Sequence, residues 1–337
     1  MTIQSVDPSR LKSIIAAFQG KRVLVIGDMV VDEYLIGRPA RIAREAPVLL
    51  LELEEELTIL GGAANVAVNV NSLGADVYLA GVIGDDVHGR RFRSAVRELG
   101  IHDEGLVHDG DRPTSTKTRV MAGSTQVVRQ HIVRVDRVDK SGIGEDCRDK
   151  LCEYIKAVLP EMDAIVLSDY EIGMISPKII ETCVPLAREL KKVIVADSHG
   201  SLDRFQGVTA LTPNQPEVEL SLGETIETSE DLDRAGQRLL DECNAQSVLV
   251  TRGSEGMSLF EANHPPVHLP VYPLEAASNV VDPNGAGDTV AATFTLSLTG
   301  GASKAEAAYL ANVAAALVVR RLGCASNTPE ELVRVIR

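Results

Sequence analysis

The sequence of 337 residues lacks the marks of a secreted, disulfide-linked or membrane-spanning protein. Its five cysteines are odd in number and form no C-x-x-C pair, so reduced thiols are expected rather than a disulfide framework or a zinc site. The longest apolar run covers residues 310–319, short of the roughly 18 residues that cross a bilayer. Residues 1–10 are polar, unlike a signal peptide. We therefore expect a cytoplasmic protein with no membrane partner.

Basic residues are also in deficit, with 34 lysines and arginines against 48 acidic residues and a net charge of −14. A field of that sign repels phosphate backbones, so nucleic acid is not expected as a partner. Four sets of catalytic motifs are absent: G-x-x-x-x-G-K-[ST], the H-R-D and D-F-G pair, H-E-x-x-H and G-x-S-x-G. P-loop NTPases, protein kinases, zincins and α/β-hydrolases are therefore disfavoured.

Short apolar runs of β-forming residues recur along the chain, and most are separated by stretches of helical length. The predicted strands are residues 21–27, 77–83, 164–168, 193–197, 208–211 and 247–251. The predicted helices are residues 63–73, 89–99, 145–159, 177–191, 229–243, 288–298 and 303–321. Such alternation predicts an α/β fold with a mostly parallel sheet and right-handed crossovers.

Two segments interrupt this alternation, at about residues 34–54 and 112–136. Both lack a clear helix and are rich in β-branched or alternating residues, which is typical of strands. Within the second segment, Ala122-Gly-Ser-Thr125 predicts a turn between two antiparallel strands. We expect the two segments to form a small sheet that projects from a single domain covering residues 1–337.

Positive charge is concentrated in residues 112–140, which contain seven basic and two acidic residues, a local charge of +5. The basic residues are Arg112, Lys117, Arg119, Arg129, Arg134, Arg137 and Lys140. An anionic ligand bound nearby would explain this concentration. A solvated β-ribbon with charged edges explains it equally well, so the composition alone leaves both interpretations open.

The sharpest chemical motif is D-P-N-G-A-G-D-T at residues 282–289, just before an apolar helical stretch. Gly285, Ala286 and Gly287 can turn tightly and direct backbone N–H groups at an anion, to which a helix starting near Asp288 adds its positive end. An ionised Asp288 beside such an anion hole is well placed to take a proton from a hydroxyl that attacks a phosphate. The alternative is an acidic N-cap after a glycine turn. The two small residues and the order G-A-G-D favour catalysis.

Polar residues follow other predicted strands, at the edge where open α/β sheets bind ligands. Asp28 and Asp32 are candidate ligands for sugar hydroxyls, with loop capping as the alternative. Asn65, after Gly61 and Gly62, is a further candidate, with a tightly packed helix start as the alternative. Asn214 and Glu217 would position hydrated Mg²⁺ on a nucleotide. Small residues at Thr251, Gly253 and Gly256 would accommodate the nucleotide phosphates.

Residues 61–84 and 282–289, in this order at the two ends of one chain, resemble the paired signatures of the ribokinase-like (PfkB) carbohydrate kinases. The resemblance extends over nearly the whole chain. It implies a three-layer α/β/α sandwich, a β-sheet lid over the sugar site formed by residues 34–54 and 112–136, Mg-ATP as phosphoryl donor, and Asp288 as base. It adds Gly62 and Asp169 to the candidate sugar ligands and Asn312 to the candidate ATP ligands, which also include Asn214, Glu217, Thr251, Gly253 and Gly256.

Within the family, the chain is most similar to kinases of heptose 7-phosphate in ADP-heptose synthesis. The similar stretches are R-I-A-R-E-A-P-V at 41–48, G-G-A-A-N-V-A at 61–67, K-T-R-V at 117–120 and L-S-D-Y at 167–170. The similarity implies phosphorylation of the C1 hydroxyl of D-glycero-D-manno-heptose 7-phosphate, with Lys117 and Arg119 on the sugar phosphate. No H-x-G-H motif follows, so only the kinase step is expected. The chain departs from the pattern at Ile172 and His199, where lysine is usual, and at Pro283 and Asn284.

Two alternatives remain at this stage. The first is a kinase for another sugar or sugar phosphate, such as ribose, fructose or fructose 6-phosphate, and the second is a catalytically silent sensor of sugar phosphate or nucleotide. The exposed strand edges of the lid, together with the family likeness, predict a homodimer formed through the lid. The sequence does not decide whether a monovalent cation is required.

Overall fold

A computed structural model describes residues 6–124, 127–274, 280, 282–321 and 323–336. Its helices are α1 Pro8–Ala16, α2 Ala63–Ser72, α3 Val87–Glu98, α4 Glu145–Val158, α5 Pro177–Glu189, α6 Gln215–Leu222, α7 Ser229–Glu242, α8 Ala286–Thr299, α9 Lys304–Val318 and α10 Pro329–Val335. Its strands are β1 Arg22–Gly27, β2 Met29–Ile42, β3 Leu49–Gly62, β4 Asp76–Gly84, β5 His102–Asp109, β6 Ser115–Ser124, β7 Val127–Arg137, β8 Ala164–Asp169, β9 Val193–Ser198, β10 Ala210–Leu211, β11 Ser247–Thr251, β12 Met257–Glu261 and β13 Val267–Leu269. Within the described ranges, no helix has both the length and the apolar character needed to cross a membrane.

The main sheet has nine strands among the described residues, in the order β13-β12-β11-β10-β9-β8-β1-β4-β5. Its strands pair in parallel except at one edge, where β12 and β13 run antiparallel to their neighbours. The predicted α/β fold with a mostly parallel sheet is confirmed. Strand β1 lies between β4 and β8, so β4 and β5 extend the sheet on one side of β1 and the strands from β8 onward extend it on the other. A ligand crevice is expected at the carboxyl end of β1, where the strand order reverses.

Residues of β1 alternate between two hydrophobic cores, which explains its continuous apolar sequence. Val23 and Val25 pack into a core built with α1, α2, α3, α8, α9 and α10. Leu24 and Ile26 pack into a second core built with α4, α5, α6 and α7. Helices therefore cover both faces of the sheet, as the α/β/α sandwich requires.

Each strand and helix predicted in the main layers corresponds to one in the structure, with ends displaced by a few residues at most. The prediction missed α1, α6, α10, β5, β12 and β13. The predicted lid segment starts at about residue 34, whereas β2 starts at Met29, and loop capping, the alternative role of Asp32, is not observed. Only Asp28 separates β1 from β2, so Asp32 lies inside a strand.

A second sheet has the order β3-β2-β6-β7 and contains both segments predicted to form the lid. We call its four strands the lid. The pairing of β2 with β6 is parallel, while β2–β3 and β6–β7 are antiparallel, the latter as predicted. Thr125 of the predicted turn and the side chain of Arg129 lie outside the described residues.

The lid joins the main layers without a linker on one side. Strand β3 ends at Gly62, and α2 starts at the next residue. Gly62 has a φ of 60°, and a Cβ added there would lie 2.4 Å from the Asp28 carbonyl oxygen. The Ala63 N–H donates to that same oxygen at 2.9 Å. Glycine is required here because both the conformation and the close approach exclude a side chain.

Candidate active site

A cavity of about 650 Å³ opens at the carboxyl ends of the parallel strands, between the main sheet and the lid. The lid contributes Asp32, Gly62, Lys117, Arg119 and Arg134 to its wall. The strand ends contribute Tyr170, Asp197, His199, Asn214 and Thr251, and the start of α8 contributes Gly285, Ala286, Gly287 and Asp288. The fold thus brings residues from separate sequence motifs into one cavity.

Helix α8 begins at Ala286, two residues before the predicted start at Asp288, with Gly285 as its left-handed N-cap. The Ala286 N–H donates to the Pro283 carbonyl at 3.2 Å. The next two amides, of Gly287 and Asp288, belong to the first turn, where a helix offers no carbonyl acceptor. The predicted anion hole therefore loses the Ala286 amide, and the helix start presents the amides of Gly287 and Asp288 instead.

Asp288 lines the cavity but is only 4% exposed. Its Oδ2 accepts a hydrogen bond from Asn65 Nδ2 at 2.6 Å, and its Oδ1 accepts one from the Tyr170 hydroxyl at 2.9 Å. Burial raises the pKa of Asp288 to about 6, and the two hydrogen bonds oppose that rise because they favour the ionised carboxylate. Such a carboxylate is ionised at neutral pH and basic enough to assist removal of a hydroxyl proton.

Asn65 contacts this carboxylate rather than pointing into the cavity. The sequence predicts it as a sugar ligand, but its side chain is buried and its Nδ2 is engaged by Asp288. The backbone carbonyl oxygen of Asn65 accepts a hydrogen bond from Asn69 Nδ2 at 2.9 Å, and Asn69 Oδ1 accepts one from the Thr289 hydroxyl at 2.8 Å. These bonds join α2 to α8, so Asn65 fixes the position of Asp288.

The lid directs three cationic side chains at the cavity: Lys117, Arg119 and Arg134. The Arg119 guanidinium is paired with the Asp32 carboxylate inside the cavity wall, and Arg134 Nη2 donates to Asp136 at 2.9 Å. Among the residues that the structure describes, no carboxylate forms an ion pair with Lys117. Of these three cations, Lys117 is therefore the one whose charge is least compensated by the described residues.

Asn214 and Glu217, the predicted magnesium residues, cap the start of α6. Asn214 Oδ1 accepts the Glu217 N–H at 2.9 Å, and Glu217 Oε2 accepts the Asn214 N–H at 2.7 Å. Glu217 Oε1 lies 2.5 Å from His199 Nδ1, and this contact raises the pKa of His199. With both Glu217 oxygens engaged, the pair does not fit direct coordination of magnesium. An ion on a nucleotide would contact it only through water.

Within the described ranges, no group of three His, Cys, Asp or Glu side chains is arranged to hold a metal ion. Asp197, near the carboxyl end of β9, lines the larger cavity, and burial raises the pKa of its carboxyl group.

Asp28 and Asp169, predicted as sugar ligands, lie beneath the cavity and are each 2% exposed. Asp28 accepts hydrogen bonds from three backbone N–H groups at 2.8 to 3.2 Å, those of Tyr170, Ile172 and Met174. Asp169 Oδ2 accepts from the Ser198 hydroxyl at 2.8 Å. These carboxylates hold the loop after β8, and the departure at Ile172 is buried in that loop. We do not propose either aspartate as a sugar ligand.

An apolar cavity of about 540 Å³ continues beyond the start of α8. The two cavities share Thr251, Gly253, Pro283, Ala286 and Gly287. The second is also lined by Gly256, Met257, Val271, Val280, Val290, Asn312, Ala315, Ala316 and Val319. A flat apolar group with an anionic chain would fit the pair, its ring in the apolar cavity and its charge at the helix start.

Sequence reasoning assigned no role to Tyr170 or Cys324, although both line the larger cavity. Tyr170 belongs to the L-S-D-Y stretch and directly follows a strand at the point where β1 meets β8, so its position in the sequence was a usable signal. Cys324 follows a long helix, and nothing in the local sequence indicates that it approaches the site.

The model of the pfkB family of carbohydrate kinases matches residues 21–331 of this chain. The bifunctional protein HldE of Citrifermentans bemidjiense is 41% identical over 313 residues, which cover 93% of this chain and 62% of that protein. The bifunctional protein HldE of Helicobacter pylori is 38% identical over 317 residues, covering 94% and 66% respectively. The chain thus spans less than two thirds of the length of these curated relatives.

Solved structures share the fold at low sequence identity. Arabidopsis thaliana ribokinase, solved with ribose and ATP, is 21% identical with a TM-score of 0.71, covering 95% of this chain and 99% of its own. Escherichia coli phosphofructokinase-2, solved with potassium, is 17% identical with a TM-score of 0.73, covering 94% and 98%. The ribokinase-like architecture predicted from the sequence is therefore confirmed.

Proposed function

Because this chain belongs to the pfkB family of carbohydrate kinases, we propose that it transfers the γ-phosphoryl group of ATP to the C1 hydroxyl of D-glycero-D-manno-heptose 7-phosphate. The product would be the 1,7-bisphosphate. Family membership makes the chain a phosphotransferase with an alcohol group as acceptor. The identity of the sugar is the part that is proposed.

The observation that carries the proposal is the placement of Asp288, in the first turn of α8, in the same cavity as the lid cations. Asp288 is the proposed base, which takes the proton of the sugar hydroxyl as its oxygen attacks the γ-phosphorus and the bond to ADP breaks. The Gly287 and Asp288 amides, at the positive end of α8, would stabilise negative charge on the transferring group. The hydroxyl, the phosphoryl group and the base would then meet in one cavity.

The lid supports a substrate that is itself anionic. Lys117 and Arg134 line the same cavity as Asp288 and would contact a phosphate on the far end of the sugar. Arg119, paired with Asp32, would orient sugar hydroxyls and phosphate together. A neutral sugar would offer no anionic partner to Lys117, which has no ion pair among the described residues. The relatives at 36 to 41% identity are bifunctional HldE proteins, which agrees with the heptose interpretation drawn from the sequence.

The nucleotide is proposed to lie across both cavities, with its base in the apolar one. Thr251, Gly253 and Gly256 border the path between them, and Asn312 Nδ2 donates to the Pro270 carbonyl at 2.6 Å in the wall of the apolar cavity. Mg²⁺ carried by ATP would neutralise charge on the phosphates. Asn214 and Glu217 would meet that ion through water, as their engaged oxygens require.

Turnover of ATP with a panel of acceptors tests the proposal. The panel contains D-glycero-D-manno-heptose 7-phosphate, fructose 6-phosphate, ribose, fructose and adenosine, each assayed with Mg-ATP. We expect kcat/KM to be highest for the heptose phosphate. Preference for a neutral sugar would overturn the role given to the lid cations, and absence of turnover with every acceptor would favour a sensor.

Two further features stay predictions. The first is cytoplasmic location. The second is a homodimer through the lid, supported by exposed apolar side chains on its strands and connecting loop, namely Ile42, Val48, Leu53, Ile132, Val133 and Val135. Sedimentation of the purified protein would measure the oligomeric state.

A further inference from the structure

Tyr170 lies directly after β8 and contacts functional groups from two other parts of the site. Its hydroxyl donates to Asp288 Oδ1 at 2.9 Å. Its ring centre is 5.3 Å from the Lys117 ammonium, within the range of a cation–π contact. The edge-to-face neighbour of the ring is His199, with centroids 4.6 Å apart. One side chain therefore contacts the proposed base Asp288, the lid cation Lys117 and, through His199, the part of the cavity near Glu217.

The backbone that carries Tyr170 is held in place from below. The Tyr170 N–H donates to Asp28 Oδ2 at 2.8 Å, and the same carboxylate accepts from Ile172 and Met174. Arg112 Nη2 also contacts the Ile172 carbonyl at 3.4 Å. The three amides of residues 170, 172 and 174 restrain this loop, so the main chain sets the point from which the Tyr170 side chain extends.

A packing role alone does not explain the hydroxyl. Buried phenols ordinarily satisfy their O–H with a nearby carbonyl or with water. In the described part of the chain, the partner recorded for the Tyr170 hydroxyl is the Asp288 carboxylate. Asn65 holds the other oxygen of that carboxylate. The two donors come from different elements and together fix the rotation of the carboxylate plane.

We propose that Tyr170 is a positioning residue for phosphoryl transfer: its hydroxyl orients the Asp288 carboxylate toward the acceptor, and its ring links that carboxylate to Lys117 of the lid. The inference rests on the proposed function of Asp288 as base. A phosphate that binds Lys117 would thereby be connected, through the Lys117 ammonium, to the residue that aligns the base. Acceptors without a phosphate lack that connection.

The substitution Tyr170→Phe removes the hydroxyl and keeps the ring for Lys117 and His199. We expect kcat to fall about tenfold, a part of the roughly 10²–10⁴-fold that a positioned general base contributes, with KM for the sugar substrate changed less than twofold. The acid limb of the kcat profile should move to higher pH, because a hydrogen bond that favours ionised Asp288 is lost. The other titratable groups near Asp288 are unchanged in this variant: Asp32, Asp197, His199 and Cys324.

Tyr272→Phe is the matched control. The Tyr272 hydroxyl donates to the Val335 carbonyl at 2.6 Å, outside both cavities. The variant Tyr272→Phe loses a comparable hydrogen bond, and its kcat and the acid limb of its kcat profile should match those of the wild type. If Tyr170→Phe keeps the wild-type acid limb, or if both variants change alike, the hydroxyl is structural and the proposal is overturned.

A titration without substrate separates this inference from the proposed function. Carboxyl-labelled aspartate is followed by ¹³C NMR from pH 4 to 8, and the Asp288 signal is assigned by its absence in Asp288→Asn. We expect the Asp288 midpoint to be higher in Tyr170→Phe than in the wild type, and unchanged in Tyr272→Phe. An unchanged midpoint in Tyr170→Phe overturns the inference. Failure of the wild type to phosphorylate the heptose phosphate overturns only the proposed substrate.

Discussion

Asn65 and Asp288 are 223 residues apart in the sequence, and Nδ2 of the first donates a 2.6 Å hydrogen bond to Oδ2 of the second. This bond joins the two motifs on which the family resemblance depends. Neither motif alone describes the environment of the carboxylate, because the glycine-rich start of α2 supplies its donor and the start of α8 supplies the acid. The consequences for catalysis, stability and substrate choice can each be measured.

Asp288→Asn should lower kcat by about 100-fold or more while leaving ATP affinity near that of the wild type, because general-base catalysis typically contributes a factor of that order. Turnover measures the first quantity and isothermal titration with ATP the second. Asp149→Asn, at an exposed ion pair with Lys178 on α4 and α5, is the control. Wild-type kcat in Asp288→Asn would remove this residue from the base role.

The kcat profile of the wild type should fall on its acid side with a midpoint near pH 6. The pKa of Asp288 is raised to about 6 by burial, and only the ionised carboxylate accepts a proton. Below the midpoint, kcat should decline about tenfold for each pH unit. The measurement is kcat at saturating substrates between pH 5 and 9, within the range where the fold is intact. A profile that stays flat to pH 5 would contradict it.

Asp288→Asn should also change the dependence of stability on pH. The pKa of Asp288 is about 6 in the folded protein and near 3.8 in the unfolded chain. Ionisation therefore destabilises the fold above pH 6, by up to about 3 kcal/mol, and this penalty disappears as the pH falls toward 3.8. We expect the variant to melt above the wild type at pH 8, with the difference shrinking toward pH 4.5. Calorimetry at both pH values measures the two melting temperatures. A difference between variant and wild type that is the same at pH 8 and pH 4.5 would contradict the raised pKa of Asp288.

Lys117→Met should raise KM for a phosphorylated acceptor by about tenfold or more, since a hydrogen bond to a charged group contributes about 1.5–3 kcal/mol. KM for a neutral acceptor should change little. Lys178→Met removes a lysine on α5 that pairs with Asp149, and it serves as the matched control. Equal losses for charged and neutral acceptors would show that Lys117 does not contact the phosphate.

Gly285→Ala and Gly301→Ala form a pair that separates backbone strain from damage to the site. Both glycines have positive φ, 77° and 84°, so alanine should destabilise each by about 1–2 kcal/mol. An added Cβ meets nothing within 4 Å at Gly301, whereas at Gly285 it lies 2.7 Å from Asn65 Nδ2. We expect both variants to melt lower, and only Gly285→Ala to lose kcat. Equal kcat in the two variants would contradict the expected disturbance of Asn65 by the Gly285 substitution.

The buried parallel strands could be predicted because their apolar runs are continuous, as in β1, β8 and β9. Strand β5, with the sequence HDEGLVHD, could not be predicted, since it lies at the edge of the sheet and five of its eight residues are charged or histidine. Helix α6 is eight residues long and begins with a capping box that, by its sequence, also suits a ligand loop. Helical periodicity is weak over so short a stretch.

The role of a candidate site residue could be predicted where it depends on neighbouring residues in the sequence. It could not be predicted where it depends on a contact with a residue remote in the sequence. The sequence around Asp288 indicates a base beside a helix start, and Lys117 lies in an evident basic segment. The assignment of Asp28 fails because three backbone amides occupy its oxygens, which no local pattern reveals. The role of Asn65 differs from prediction for the same reason, since its partner Asp288 is remote in sequence. The water-mediated contact of Glu217 with magnesium stays a prediction, while its contact with His199 is another that no local pattern reveals.

The joints between the lid and the main layers have a consequence for how the chain tolerates length changes. A single residue, Asp28, connects β1 to β2, and no residue separates β3 from α2. Side chains alternate between faces along a strand, so one inserted residue after Asp28 would turn Asp32 away from the cavity that it lines. Insertions at this joint should therefore be far more harmful than insertions of the same size in the loop between β2 and β3 at the far end of the lid.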